Sequence, residues 1–214
     1  MGDSEAPPAG SVVPLLIACA LGIEKFALRA GDSGDVTVLR TGMGPVNAGR
    51  AVHDACAAGA LRDAAVVASG FCAGFAPGMH PGDLVVAKET RLGGMSTVCT
   101  NTDFLVRAVA RAVPGRTVHK GPLTGLDHVV RGHERAELLA TGAIAGDMES
   151  AATVGSALQA GPRPVAAVRV VVDAPEHELV RIGTFRGGIS AFRVLRAVMP
   201  AFLEWHRSLL LPRR

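Results

Sequence analysis

Four acidic residues and two glycine-rich turns carry the chemistry this sequence offers. Asp147 and Glu149 bracket Met148 in Gly146-Asp147-Met148-Glu149-Ser150, directly ahead of an alanine-rich stretch. An acid at a helix start caps free N–H groups and is stabilised by the helix dipole, which accounts for one of the two. The other can accept hydrogen bonds from two neighbouring hydroxyls such as those of a ribose, each bond worth roughly 1.5–3 kcal/mol when one partner is charged. Asp173 closes the apolar run Ala166-Ala167-Val168-Arg169-Val170-Val171-Val172. Desolvation at the mouth of a buried strand raises the pKa of an acid, so that it can hold a proton for a leaving group. The plainer role for Asp173 is to start a turn before Pro175. Glu24, in Ala20-Leu21-Gly22-Ile23-Glu24, reads by itself as a surface acid on a first helical turn.

The glycines fall where apolar runs end. Gly42 and Gly44 follow the run 35–40, and Gly70 and Gly74 follow the run 64–69. Glycine there permits a sharp turn and a close approach of backbone N–H groups to a ligand. Neither cluster is followed by Gly-Lys-Ser/Thr, and neither matches G-x-G-x-x-G with an acid beyond the helix, which argues against nucleotide-binding P-loops and dinucleotide-dependent oxidoreductases.

The elements that must position these residues alternate along the chain. Strands are predicted over 12–18, 35–40, 64–69, 82–87, 117–123 and 164–172, with the strand 64–69 breaking at Gly70. Helices are predicted over 23–29, 47–59, 102–113, 134–141, 148–160 and 190–209, the last kinked at Pro200. The alternation predicts an α/β fold, a three-layer α/β/α sandwich with a mixed, mostly parallel central sheet. Such sheets bind ligands at the carboxyl ends of strands, where Glu24, the turn 41–44, the turn 70–74 and Asp173 collect. One domain is expected over 12–210, behind a disordered tail over 1–11 that is rich in Pro and Gly. Residues 176–188, with Arg181 and Arg186, lack periodicity and are expected to form a flap over the site.

Composition narrows the classes further. Hydrophobic residues make up 49% and charged residues 19%, which is an ordered globular chain. Lys+Arg number 22 against 19 Asp+Glu, and the arginines are dispersed, so no nucleic-acid partner is expected. Cys19, Cys56, Cys72 and Cys99 lie far apart and read as buried reduced thiols; with seven histidines at no ligand spacing, no metal and no cofactor are expected. The apolar run 12–21 is shorter than the roughly 20 residues that span a bilayer and has no cleavage pattern after it, so a cytoplasmic protein without stable membrane insertion is expected.

Four segments in order resemble one family over residues 12–205. They are Thr41-Gly-Met-Gly-Pro45-x-Asn47-Ala48; Gly70-x-x-Ala73-Gly74 with Pro81-Gly82-Asp83-Leu84-Val85; Gly146-Asp-Met-Glu-Ser150; and Arg169-Val-Val-Val-Asp173. Together they resemble the nucleoside phosphorylase and nucleosidase superfamily that includes methylthioadenosine/S-adenosylhomocysteine nucleosidase. The resemblance implies that Glu149 accepts the ribose 2′- and 3′-hydroxyls and that Met148 packs beneath the sugar. It implies that Asp173 hydrogen-bonds or protonates purine N7 and that Glu24 activates water. Asp147, Gly70, Phe71, Gly74 and Arg169 are placed among the substrate contacts. The substrate implied is a purine nucleoside, and the assembly implied is a homodimer.

The chain departs from the family at several places. It has no Gly-Asp-Pro-x-Arg-Ala phosphate loop, and Ala68-Ser69 stands where uridine phosphorylase relatives carry a phosphate-binding arginine. Both tilt the nucleophile toward water, with inorganic phosphate as the alternative co-substrate. Phe71 occupies the place of a small hydroxyl residue, and the segment 90–103 is shorter than the nucleosidase loop that encloses the 5′ substituent. Compact length, Asp-Met-Glu-Ser and Arg-Val-Val-x-Asp-x-Pro resemble the bacterial hopanoid-associated phosphorylases that remove adenine from adenosylhopane. The expected reaction is therefore cleavage of an adenine nucleoside with a bulky 5′ group. The alternatives are methylthioadenosine/S-adenosylhomocysteine or futalosine-type hydrolysis, and a non-catalytic nucleoside-binding protein of the same fold.

Overall fold

Leu15–Cys19 is a strand with every residue buried, as a continuous apolar run between glycine-bearing turns dictates. It is β1 of a computed structural model that describes residues 13–29, 34–57, 59–175 and 185–210, the side chains of 185–189 excepted. The order continues with α1 (Gly22–Leu28), β2 (Val36–Arg40), α2 (Pro45–Ala57), β3 (Ala65–Gly74), β4 (Leu84–Leu92) and β5 (Met95–Val98). After these come α3 (Thr102–Ala112), β6 (Val118–Gly125), α4 (Glu134–Ala140), β7 (Ala145–Asp147), α5 (Ser150–Gln159), β8 (Val165–Asp173), α6 (Phe185–Ala197) and α7 (Met199–Leu209).

The eight strands form one mixed sheet in which β1 pairs in parallel with β2 and β3, and β3 pairs in parallel with β8. β4 runs antiparallel to β8 and parallel to β6, β6 parallel to β7, and β7 antiparallel to β3. The pairings β3–β8–β4–β6–β7–β3 thus close a ring within the sheet. Closure is possible because β3 is 10 residues long and outruns β1: it stays paired with β8, through a register shift between Cys72 and Ala73, as far as Ala73–Asp173, while Ala73 and Gly74 also pair with Gly146 and Ala145 of β7.

Successive side chains of a strand face opposite ways, and each face of the sheet has its own core. Leu15 and Ile17 of β1 pack with α1, α3, α6 and α7, including Leu105, Phe202 and Trp205. Leu16 and Ala18 pack with Val52 and Cys56 of α2 and Val154 and Ala157 of α5. The expected layers, helices on both faces of a mixed sheet, are what the chain forms.

Several boundaries differ from the sequence reading, each for a local reason. β3 does not break at Gly70 but runs through it to Gly74, because β8 continues alongside, with Gly70 opposite Arg169 and Phe71 opposite Val170. β7 and β5 were not anticipated: three and four residues are too few to display a period. The helix expected from 148 begins at Ser150, since β7 and the turn behind it take up the preceding residues. The last helix is divided rather than kinked. Pro200 has no N–H and cannot continue α6, so α6 stops at Ala197 and Pro200 sits in the first turn of α7, where that N–H is not needed. The expected flap over 176–188 is helical from Phe185 onward, and 176–184, like the tail over 1–11, lies outside the described residues. Among the described side chains α6 buries Ala191, Val194 and Leu195. Among the described residues no helix is long and apolar enough to cross a membrane.

Candidate active site

The site forms where β1 stops and β3 continues. β1 accompanies β3 only to the pair Ala18–Ala68. The N–H of Ala65 bonds to Pro14 on the β1 side and that of Val66 to Pro164 on the β8 side. Alternation therefore aims the N–H of Phe71 at the side that β1 has left. Glu24 meets it there. Its Oε1 accepts the Phe71 N–H at 3.0 Å, while Oε2 accepts those of Ala20 and Leu21 at 2.9 and 2.8 Å. Glu24 is also the N3 residue of α1, so one carboxylate closes the helix start and the strand edge together. At 2% exposure it is not the surface acid that its position alone suggested.

Gly70 makes this arrangement possible. Its φ is +144°, and a Cβ there would lie 2.5 Å from both Glu24 Oε1 and Arg169 Nη1. The carboxylate and the guanidinium therefore lie side by side over a bare backbone.

Arg169 is the hub beneath the site, its side chain only 1% exposed. Its Nε donates to Ser150 Oγ at 2.7 Å and lies 2.5 Å from Asp147 Oδ2, and its Nη1 donates to the Ser69 carbonyl at 3.3 Å. Glu149 Oε2 lies 4.0 Å from the same Nη1. Burial opposes the charge on Arg169, but Asp147, Glu24 and Glu149 outweigh it and hold the pKa above the ordinary arginine value. A buried guanidinium needs partners of that kind.

The two acids around Met148 divide their work as their chemistry allows. Asp147 Oδ1 accepts the N–H groups of Glu149 and Ser150 at 3.0 and 2.7 Å, and Oδ2 accepts the Ser150 hydroxyl at 2.5 Å. Asp147 and Arg169, both expected among the substrate contacts, are buried, and Asp147 accepts the first N–H groups of α5 while pairing with the arginine. Glu149, though it stands at the N-cap, makes no side-chain cap bond. Its Oε1 instead accepts the N–H of Gly44, from the turn after β2, at 2.9 Å. Burial raises the Glu149 pKa, Arg169 and the Gly44 N–H oppose the rise, and the negative charges of Asp147 and Glu24 add to it. The carboxylate is held from below and from one side, with 11% of the side chain still exposed. Met148 is half-buried beside it, and Phe71, also half-buried, packs against the core on the α1 side.

Asp173 stands four residues beyond Arg169 on β8, opposite Ala73. Its surroundings hold more than desolvation: Arg135 Nη2 lies 2.6 Å from Oδ2, with both side chains nearly buried. The same guanidinium donates to the Gly74 carbonyl at 3.0 Å and the Val130 carbonyl at 3.3 Å. Gly74 therefore serves the site through its carbonyl, at the Asp173 end.

Arg135 is the residue that the sequence reading missed. A signal was present: it precedes Leu138 and Leu139 by three and four positions, which places it on the apolar stripe of α4. All four cysteines are buried and unpaired, and Cys19 is pushed up to about 12 by burial with Glu24 adding to it, which leaves an inert thiol near the site.

Solved structures resemble this chain throughout their length. A 5′-methylthioadenosine/S-adenosylhomocysteine nucleosidase from Neisseria meningitidis, in complex with methylthio-immucillin-A, aligns with a TM-score of 0.77 at 19% identity, over 91% of this chain and 100% of that one. A nucleosidase of the same description from Colwellia psychrerythraea, in complex with adenine, aligns at 0.72 and 18%, over 91% and 96%. A futalosine hydrolase mutant from Helicobacter pylori aligns at 0.70 and 14%, over 91% and 100%. At these identities the likeness is one of fold. No curated protein sequence matches the chain. The family model of the phosphorylase superfamily matches residues 23–186, a span from Glu24's own helix past Asp173, and the chain belongs to that superfamily.

Proposed function

We propose that this protein cleaves the N-glycosidic bond of an adenine nucleoside bearing a bulky, apolar 5′ group. The observation that carries the reading is Glu149: a carboxylate released from capping duty, braced by Gly44 and Arg169, and buried but for 11% of its side chain. Such a group suits two donors on adjacent carbons, as the ribose 2′- and 3′-hydroxyls are. As the C1′–N9 bond lengthens, positive charge grows on the sugar, and the carboxylates of Glu149 and Glu24 stabilise it. The bonding pair leaves with the purine, whose N7 meets Asp173 by hydrogen bond or proton transfer.

Water is the favoured nucleophile. An ionised carboxylate has about four acceptor positions, and three backbone N–H groups occupy Glu24, which leaves it room to orient one water and take its proton. Arg169 is ringed by Asp147, Glu24 and Glu149, an environment that repels phosphate. The 5′ reading rests on the segment 90–103, which is spent on the tight hairpin of β4 and β5 and the start of α3, leaving no long loop to cover a substituent.

Incubation with adenosine, methylthioadenosine and a 5′-alkyl-substituted adenosine, with and without phosphate, tests all of this by chromatography. Free adenine should appear at the same rate in both buffers, accompanied by the free sugar, and fastest from the bulky substrate. Equal turnover of methylthioadenosine removes the 5′ assignment, and a sugar 1-phosphate product removes water. Glu149→Gln should lower kcat/KM by about 10²-fold, the worth of two weakened charge-assisted bonds; unchanged turnover sinks the ribose assignment.

A further inference from the structure

We infer that Arg135 is a positioning residue for departure of the base, acting through Asp173; the inference rests on the function proposed above. Arg135 lies on α4, yet its guanidinium reaches three other parts of the chain: Asp173 at the end of β8, Gly74 at the end of β3, and Val130 in the connection between β6 and α4. The near end of that connection is anchored too, because the N–H of Leu126 bonds to the Asp147 carbonyl at 2.8 Å. Residues 126–133 therefore run from the residue that braces Arg169 to the residue that holds Asp173.

The geometry is a fork. A guanidinium presents donors in a fixed plane, so a bond to Asp173 Oδ2 from the same group that holds two carbonyls sets the direction of the carboxylate as well as its distance. The pairing of β3 with β8 shifts register between Cys72 and Ala73, so the ladder beside Asp173 is irregular where a carboxylate must be aimed most accurately. A side chain that bridges the ends of β3 and β8 restores that accuracy. Burial makes the pair mutually dependent, since Arg135 and Asp173 side chains are 3% and 10% exposed.

A structural role alone, pinning the small core of Phe75, Val130 and Ala143, predicts a different result from a role in leaving-group departure. The discriminating probe is a substrate that needs no proton to leave. The wild type, Asp173→Asn, Arg135→Gln and Arg135→Lys are assayed on the 5′-alkyl-substituted adenosine and on p-nitrophenyl β-D-ribofuranoside, whose phenolate departs unaided. Removing assistance to a leaving group costs about 10²–10⁴-fold in kcat, and Arg135→Gln is expected toward the lower end on the adenine nucleoside, with KM little changed. The nitrophenyl riboside should be cleaved at close to the wild-type rate. Arg135→Lys keeps the charge without the fork and should fall between Arg135→Gln and the wild type on the adenine substrate only. It also carries the test if Arg135→Gln does not fold. Equal losses on both substrates, or none on either, overturn the role of Arg135. Full adenine release by Asp173→Asn overturns the reading of Asp173 instead, and the role of Arg135 falls with it. Loss in Asp173→Asn without selective loss in either Arg135 variant overturns Arg135 alone.

Discussion

Gly70→Ala is the sharpest perturbation of the site that can be made with one methyl group. The added Cβ would sit 2.5 Å from Arg169 Nη1 and 2.5 Å from Glu24 Oε1, with Glu24 Cδ at 2.9 Å. Neither side chain is loose, since Glu24 is held by three N–H groups and Arg169 by Asp147, Ser150 and Ser69. Forcing a φ of +144° on an L-residue costs about 1–3 kcal/mol. Wedging a methyl into a packed interior costs about 1–3 kcal/mol more. The sum, about 2–6 kcal/mol, lowers the melting midpoint by roughly 10 °C at about 2–4 °C per kcal/mol for a chain of this size. Gly44→Ala is the control: its φ is +87°, but nothing lies within 4 Å of the new Cβ. Only the backbone cost of about 1–2 kcal/mol should be felt there. Calorimetry or circular dichroism on both proteins gives the comparison, with adenine release measured alongside. A Gly70→Ala protein that melts no lower than Gly44→Ala would refute the claim that Glu24 and Arg169 are locked over a bare backbone.

Two further outcomes follow from the same network. Asp147→Asn leaves Arg169 buried beside a neutral amide, and breaking a buried pair by removing one partner costs about 3–5 kcal/mol; a denaturant midpoint close to wild type would contradict the bracing role. The pH dependence comes from Glu149, whose carboxyl burial holds above the ordinary range. Protonation removes the acceptor of the ribose hydroxyls, so KM should begin to rise, as pH falls, at a pH above the usual glutamate value of about 4.3. The sign for folding is opposite: a raised carboxyl binds its proton more tightly folded than unfolded, so this group disfavours folding as pH rises. An acid limb in KM that survives Glu149→Gln unchanged would assign the titration elsewhere.

Local pattern was enough for much of the architecture. Continuous apolar runs marked β1, β3 and β8 because strands buried on both faces must be apolar throughout, and Asp173 was visible as the charge that ends one. Glycines marked the turn behind β2 for an equally local reason. Elements without a local signature were not legible. β5 and β7 are too short to show a period, and the passage of β3 through Gly70 depends on β8 lying beside it.

The acids show the same division most clearly. Residue type and spacing alone placed Asp147 and Glu149 at one helix start, where only one of them could be needed. Which one serves the helix is a tertiary matter: Gly44 lies more than a hundred positions away in the chain and offers Glu149 its N–H, while Arg169 draws Asp147 downward. Glu24 looked like a surface residue because its burial depends on β1 ending before β3 does. Arg135 carried a faint helical signal, but its partners Gly74 and Asp173 belong to strands remote in sequence. Hydrogen bonds of backbone and charge are satisfied wherever the fold brings donors and acceptors together. For that reason residue types and spacing could nominate the site, and only the packed chain could say which of its charges face outward.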